Sequence, residues 1–189
     1  MKRLTRKEID EMRSRGYEEE TFHQFPFSEA RTALAEELCA EIRRAFCGVT
    51  LGYGVGLHEA QAIDDYSSDS ERGKAKASDE KESWERIAPA DLNACYSSLS
   101  FFDAEGFRFH LPAYLIADLR GEFHFGMSYC LTESCLTDRF LLLNPRQRWA
   151  VRDYLIFIAE DPDYQFERSH ILRALDDGWS EDFCGKRRN

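Results

Sequence analysis

The chain has 189 residues, 43% of them apolar, including 14 Phe, 8 Tyr and 3 Trp, a composition that builds a core and excludes a disordered chain. There are 35 acids against 25 bases, net −10; residues 1–7 hold four Lys/Arg and residues 186–188 three more, so residues 8–185 carry 18 bases and 35 acids, net −17. A body of that sign repels nucleic acid, so the partner expected from charge is a basic protein.

The start, MKRLTRKEIDEM, is charged throughout and lacks a secretory apolar core. The longest apolar run, YLIFIA, is far short of a membrane span. Both observations predict a cytoplasmic chain with no membrane partner. Six cysteines contain no CxxC pair and read as small buried thiols. His124, Cys130 and Cys135 are spaced H-x5-C-x4-C, which lacks the close ligand pairs of a zinc site, so no zinc is expected there.

In chain order, Thr5 to Glu8 reads as a capping box opening a short helix that Gly16 follows, and YEEETFHQFPF as an extended connector. Ser28 is placed to cap a helix carrying Ala30, Leu34, Leu38, Ile42 and Phe46 at helical spacing, with Gly48 at its end. The loop GYGVG leads into a helix over residues 57–66. The next stretch holds 11 charged residues between Asp69 and Arg86 and predicts a solvated helix anchored near its end by Trp84 and Ile87. Pro89 suits the first turn of another helix.

In SFFDAEGFRFH, two aromatic runs flank Asp-Ala-Glu-Gly, the composition of a hairpin loop. Helical patterning resumes at LPAYLIADLRG and ends at Gly121; residues 122–140 form a mixed loop. Asn144-Pro145 opens a helix that Pro162 terminates, and ERSHILRALDDG forms the last one before Trp179. The fold class expected is mainly α, with one small antiparallel β-hairpin at about residues 99–111. The organisation is an N-terminal helix and connector (1–27), a single helical domain (28–180) and a basic polar tail (181–189).

The glycine loop fails the nucleotide tests. GYGVG is not GxGxxG, no clear strand precedes it, and no Lys-Ser/Thr follows it. The His58-Glu59 pair fails the zincin test, because position 62 is Ala62. At 100° per residue, His58, Gln61, Asp64 and Asp65 share a polar arc, while Glu59 projects among Ile63 and Tyr66. A carboxylate there caps its own helix from the third position, pairs with an internal arginine, or lines a cleft.

His58, Asp64, Asp65, Asp79 and Glu80 are the acids and imidazole that a divalent metal would use if two neighbouring helices faced each other. No cofactor is predicted on the sequence; a divalent metal, and a metal-dependent hydrolase built around Glu59 and Asp64, stand as the alternative reading. There is no GxSxG and no cysteine beside a suggestive histidine. Arg108 and His110 share one face of the expected second strand, opposite Phe107 and Phe109, and offer a binding surface. With Trp84, these residues complete the binding candidates. The aromatic hairpin is also a candidate contact for a homo-oligomer.

The blocks LGYGVGLHEAQAIDDY, DEKESWERI, SLSFFDAEGFRFHLPAYLIADL and FIAEDPDYQFERSHILRAL resemble an uncharacterised bacterial family known only as a domain of unknown function, from about Phe46 to Trp179. That resemblance implies no activity, cofactor or catalytic residue. In size and acidity the family is similar to immunity proteins that neutralise toxins, which favours a protein-binding module over an enzyme.

Overall fold

The computed structural model describes residues 11–17, 29–132 and 138–185, without the side chains of residues 29 and 30. The expected capping box at Thr5, the connector, the Ser28 cap, Cys135 and the basic residues 186–188 lie outside the described residues. Nine helices organise the described part after residue 28: α1 (Glu29–Ala45), α2 (Leu57–Asp64), α3 (Asp69–Ser78), α4 (Pro89–Ala94), α5 (Ala104–Leu119), α6 (Ser128–Thr132), α7 (Pro145–Ala159), α8 (Arg168–Asp176) and α9 (Glu181–Cys184). Short 3₁₀ turns at Trp84–Arg86, Tyr96–Ser100 and Pro162–Tyr164 link them. No helix among the described residues is long and apolar enough to cross a membrane.

The expected hairpin is not there. The described residues contain no β-strand, and residues 99–111 form the end of a 3₁₀ turn and the first half of α5. Asp103, expected in a hairpin loop, is the N-cap of α5 and accepts from the Gly106 amide at 2.8 Å. The aromatic alternation misleads because α5 is the central helix. Phe107 and Phe109 are fully buried, and every residue from Phe109 to Leu119 is buried. A helix wrapped on all sides has no polar face, so the 3.6-residue period that marks a surface helix is missing. Pro112 adds to the confusion: it suits a first turn but lies inside the helix, where it removes the backbone bond to Arg108.

Around α5 the other elements pack as the sequence dictates. α1 buries Cys39 and Ile42, with Phe46 just past its end, and it packs on both α5 and α7. α7 begins at the Asn144-Pro145 pair with a complete capping box, Asn144 and Gln147 each accepting from the other's backbone amide. α8 lies on α6 and α7, and α9 lies on α7. Trp179 is buried and donates its indole N–H to the Leu131 carbonyl at 2.7 Å. Arg152 donates to the carbonyls of Leu175 and Trp179, which ties this C-terminal turn to α7.

A polar cluster centred on Asp118 lies in the core. Tyr154 donates to Asp118 Oδ2 at 2.6 Å and Tyr164 to Oδ1 at 2.8 Å. All three residues are buried, and burial pushes both phenols above the ordinary tyrosine range. The charged segment is shorter than expected: α3 stops at Ser78, is capped by a Ser68–Glu71 capping box, and buries no residue.

The glycine loop is explained by what it touches. A Cβ at Gly106 would overlap the Val55 carbonyl oxygen, and one at Gly54 would overlap the Gly106 amide and Glu105. The loop therefore lies backbone against backbone on the first turn of α5. Gly106→Ala is expected to destabilise the protein by about 1–3 kcal/mol, because backbone cannot yield as a side chain can. Gly73→Ala, in the exposed α3 with nothing near its Cβ, is expected to stabilise by about 0.5–1 kcal/mol. Urea unfolding of the two variants beside the parent checks both signs.

Candidate functional site

The conspicuous residues gather where α2 begins. Gly56 is the N-cap of α2 and has no side chain to cap with, so the free amides of the first turn need another acceptor. Asp79, just past the end of α3, supplies it. Its Oδ1 accepts from the His58 amide at 2.7 Å and its Oδ2 from the Glu59 amide at 3.2 Å. The Asp79 side chain is 1% exposed, and any Cβ at Gly56 would fall on its carboxylate. Asp79 is thus a helix cap supplied from another element, and it fits because position 56 is glycine.

The His58 ring meets the same carboxylate, with Nδ1 2.9 Å from Oδ1. An ionised carboxylate only accepts, so Nδ1 carries the hydrogen and Nε2 is the remaining ring nitrogen, on a side chain that is 44% exposed. This Asp–His pair is half of a general-base arrangement. The described residues place no serine, threonine or cysteine in hydrogen bond with that ring.

Glu59 is buried, as helical geometry places it, and both its oxygens take the Lys76 ammonium, at 3.2 and 3.0 Å. It neither caps its own helix nor meets an arginine. Asp65 accepts from the Gln61 amide group at 3.1 Å on the same helix. Asp64 is half-exposed on α2. Glu80 turns back on its own loop and accepts from the Lys81, Glu82 and Ser83 amides, which hold its carboxyl below the usual range. Trp84 is a core anchor whose indole N–H donates to the Phe46 carbonyl at 3.0 Å.

Of the sequence candidates, then, only His58 and Asp79 pair side chain to side chain among the described residues, and Glu59 meets Asp79 through its backbone amide. No group of three or more His, Cys, Asp or Glu is arranged to hold a metal among the described residues. Cys130 is buried and donates to the Met127 carbonyl, while His124 is exposed.

Arg108 and His110 do not form a strand face. Arg108 is half-exposed on α5, and His110 is 1% exposed. The His110 Nδ1–H donates to the Gly106 carbonyl at 2.7 Å, and its ring stacks on Phe102 with centroids 4.4 Å apart. Its Nε2 has no partner among the described residues, and burial holds its pKa down at about 4.

Sequence reasoning missed the residues that bind the glycine loop. Asp103 Oδ1 accepts from the Val55 amide at 3.1 Å, and Glu105 Oε2 from the Tyr53 amide at 3.2 Å. The signal was present: Asp-x-Glu is also a helix start, with an acceptor at the cap and an acid in the first turn. The arrangement uses loop amides to hold the protein's own carboxylates, which leaves them unavailable to a bound anion.

Asp79→Ala is expected to cost about 2 kcal/mol, the upper range for a lost cap, since two first-turn amides lose their acceptor. Asp79→Asn, which retains one oxygen, should cost about half as much. Denaturant titration of both checks the order. His110 gives a pH dependence of defined sign. Its unfolded pKa is near 6.5 and its folded pKa about 4, so the proton binds the unfolded chain first as pH falls. Stability is intact above pH 6.5 and drains away toward pH 4, by about 2 kcal/mol between pH 7 and 5. Unfolding curves of His110→Phe, which retains the stacking ring, should lack that share of the parent's pH dependence.

No curated protein and no solved structure matches this chain. The blocks singled out above fall within a match of residues 34–183 to DUF6714, a family of unknown function, and the chain belongs to that family.

Proposed function

We propose that this chain is an acidic protein-binding module whose partner is a basic protein. The observation that carries the reading is the exposure of large aromatic rings on a chain whose residues 8–185 carry net −17, Tyr53 and Tyr66 each being 96% exposed. Exposed aromatics beside acids favour a cationic protein surface, because the ring faces and the carboxylates attract the same groups. The conspicuous acids speak against the hydrolase alternative: Asp79 is occupied as a cap, Glu59 with Lys76, and Glu80 with its own loop. Inhibition of a basic toxin is one specific form of this binding role, supported by size and acidity alone.

The reading predicts a stoichiometric complex with a basic protein whose association rate falls steeply with salt, by about tenfold or more between low and physiological ionic strength. The check is affinity capture from host extract, followed by reconstitution from purified components and stopped-flow kinetics across salt. A captured protein that is acidic, or a rate indifferent to salt, would count against the reading. Light scattering separates the homo-oligomer, which needs no second protein.

A further inference from the structure

Resting on that reading, we infer that arginine side chains of the basic partner dock on one surface, formed by the stacked Tyr96–Phe125 pair and flanked by Asp65, Tyr66, Asp91 and Glu122. Tyr96 is 51% and Phe125 42% exposed, and their rings stack with centroids 4.1 Å apart and planes 15° apart. Each ring turns one face to the other, and both residues remain half-exposed, so aromatic surface is open to solvent. A planar guanidinium stacks on such a face and still directs its N–H groups to a neighbouring carboxylate. An ammonium has no plane to stack, so arginine is favoured over lysine.

The platform is held in place from below. Phe125 rests against Phe123, which is buried and meets Tyr114 edge-on in the core. Asn93 on α4 donates to the Glu122 carbonyl at 2.7 Å and accepts from the His124 amide at 2.9 Å. The segment carrying Phe125 is thereby fixed to the element that leads into Tyr96. Little ordering is left to lose when a partner binds, the condition under which aromatic anchors contribute most.

Asp65 is tied to the segment of Tyr96 by hydrogen bonds, and Asp91 and Glu122 lie on the two segments that carry the rings. Ser97, next to Tyr96, donates to Gln61 Oε1 at 3.1 Å, and the Gln61 side-chain amide nitrogen donates to Asp65. Asp65 precedes Tyr66, whose ring is 96% exposed. Asp91 lies in the first turn of α4, and Glu122 lies three residues before Phe125. The buried Cys95 thiol, next to Tyr96, is pushed up to about 11, by burial first and then by the charges of Asp91, Asp79 and Asp65. The segments 61–70, 88–97 and 121–131 that build the surface hold five acids and no lysine or arginine. A second copy would bring the same acids face to face, so charge complementarity selects a cationic partner over self-association.

The test uses the full chain with oligo-arginine and oligo-lysine peptides of equal length, titrated by calorimetry at about 150 mM salt. Oligo-arginine is expected to bind about tenfold tighter than oligo-lysine, and Tyr96→Ala with Phe125→Ala to remove that preference. Asp176→Lys with Asp177→Lys, a charge change of equal size to Asp91→Lys with Glu122→Lys but at the exposed end of α8, should weaken binding far less than that pair. Amide chemical shifts of the unmodified protein, which need no variant to fold, should move within residues 61–66, 91–97 and 122–125 when oligo-arginine is added. Equal affinity for both peptides, equal effects of the two charge changes, or shifts centred elsewhere would overturn this docking surface and leave the binding role standing. Saturable binding of neither peptide, with no basic protein captured from host extract, would overturn both.

Discussion

A single carboxylate oxygen fixes how this protein is put together. Asp103 Oδ1 accepts from the Gly106 amide of its own helix and from the Val55 amide of the loop that leads into α2. One acceptor thus starts the central helix and anchors the segment before α2. The contact is as close as it is because Gly54 and Gly106 have no Cβ, and each backbone occupies the space the other's side chain would fill. Once that seam is set, α2 enters at a fixed place, and Gly56 leaves room for Asp79 to reach its first turn. The alternation of glycines in GYGVG is therefore a packing requirement on two fronts, against α5 and against Asp79.

The acids of this chain divide accordingly into structural and surface groups. Asp79, Asp103 and Glu80 face backbone amides, and for the buried Asp79 their partial positive charge offsets the cost of leaving water. Asp118 is deeper still and is held by two tyrosine hydroxyls. Glu59 keeps a lysine that is itself half-exposed, so that pair contributes little beyond satisfying a buried acid. Asp161 is buried too, facing Arg31 and the Asp163 amide, while exposed acids such as Asp65, Asp91 and Glu122 set the field that a partner meets.

How far the sequence speaks depends on how local the physics is. Asn144-Pro145 states its helix start outright, because cap and first turn are adjacent residues, and Gly48 and Gly121 mark stops through their left-handed backbone. The first half of the central helix is illegible for the opposite reason, while LPAYLIADLRG reads as helix. Its residues are apolar on every side, Phe107 and Phe109 mimic strand alternation, and Pro112 breaks the pattern where the helix does not break. At the candidate site, helical geometry placed Glu59 toward the interior, but its Lys76 partner and the Asp79 cap come from another helix and its end. No spacing rule connects residues that the fold alone brings together.

Tyr66 sharpens the distinction between folding and binding. It follows α2 with φ of +54°, a region that disfavours any side chain with a Cβ. The motif closing there, Tyr66 to Ile63 and Ser67 to Ala62, is the one that glycine completes without steric penalty. The tyrosine ring recovers nothing from packing, since it is 96% exposed. A residue that strains its backbone by about 1 kcal/mol and buries nothing is not explained by the stability of this chain. We propose that this ring, next to Asp65 in the chain, serves the docking surface inferred above.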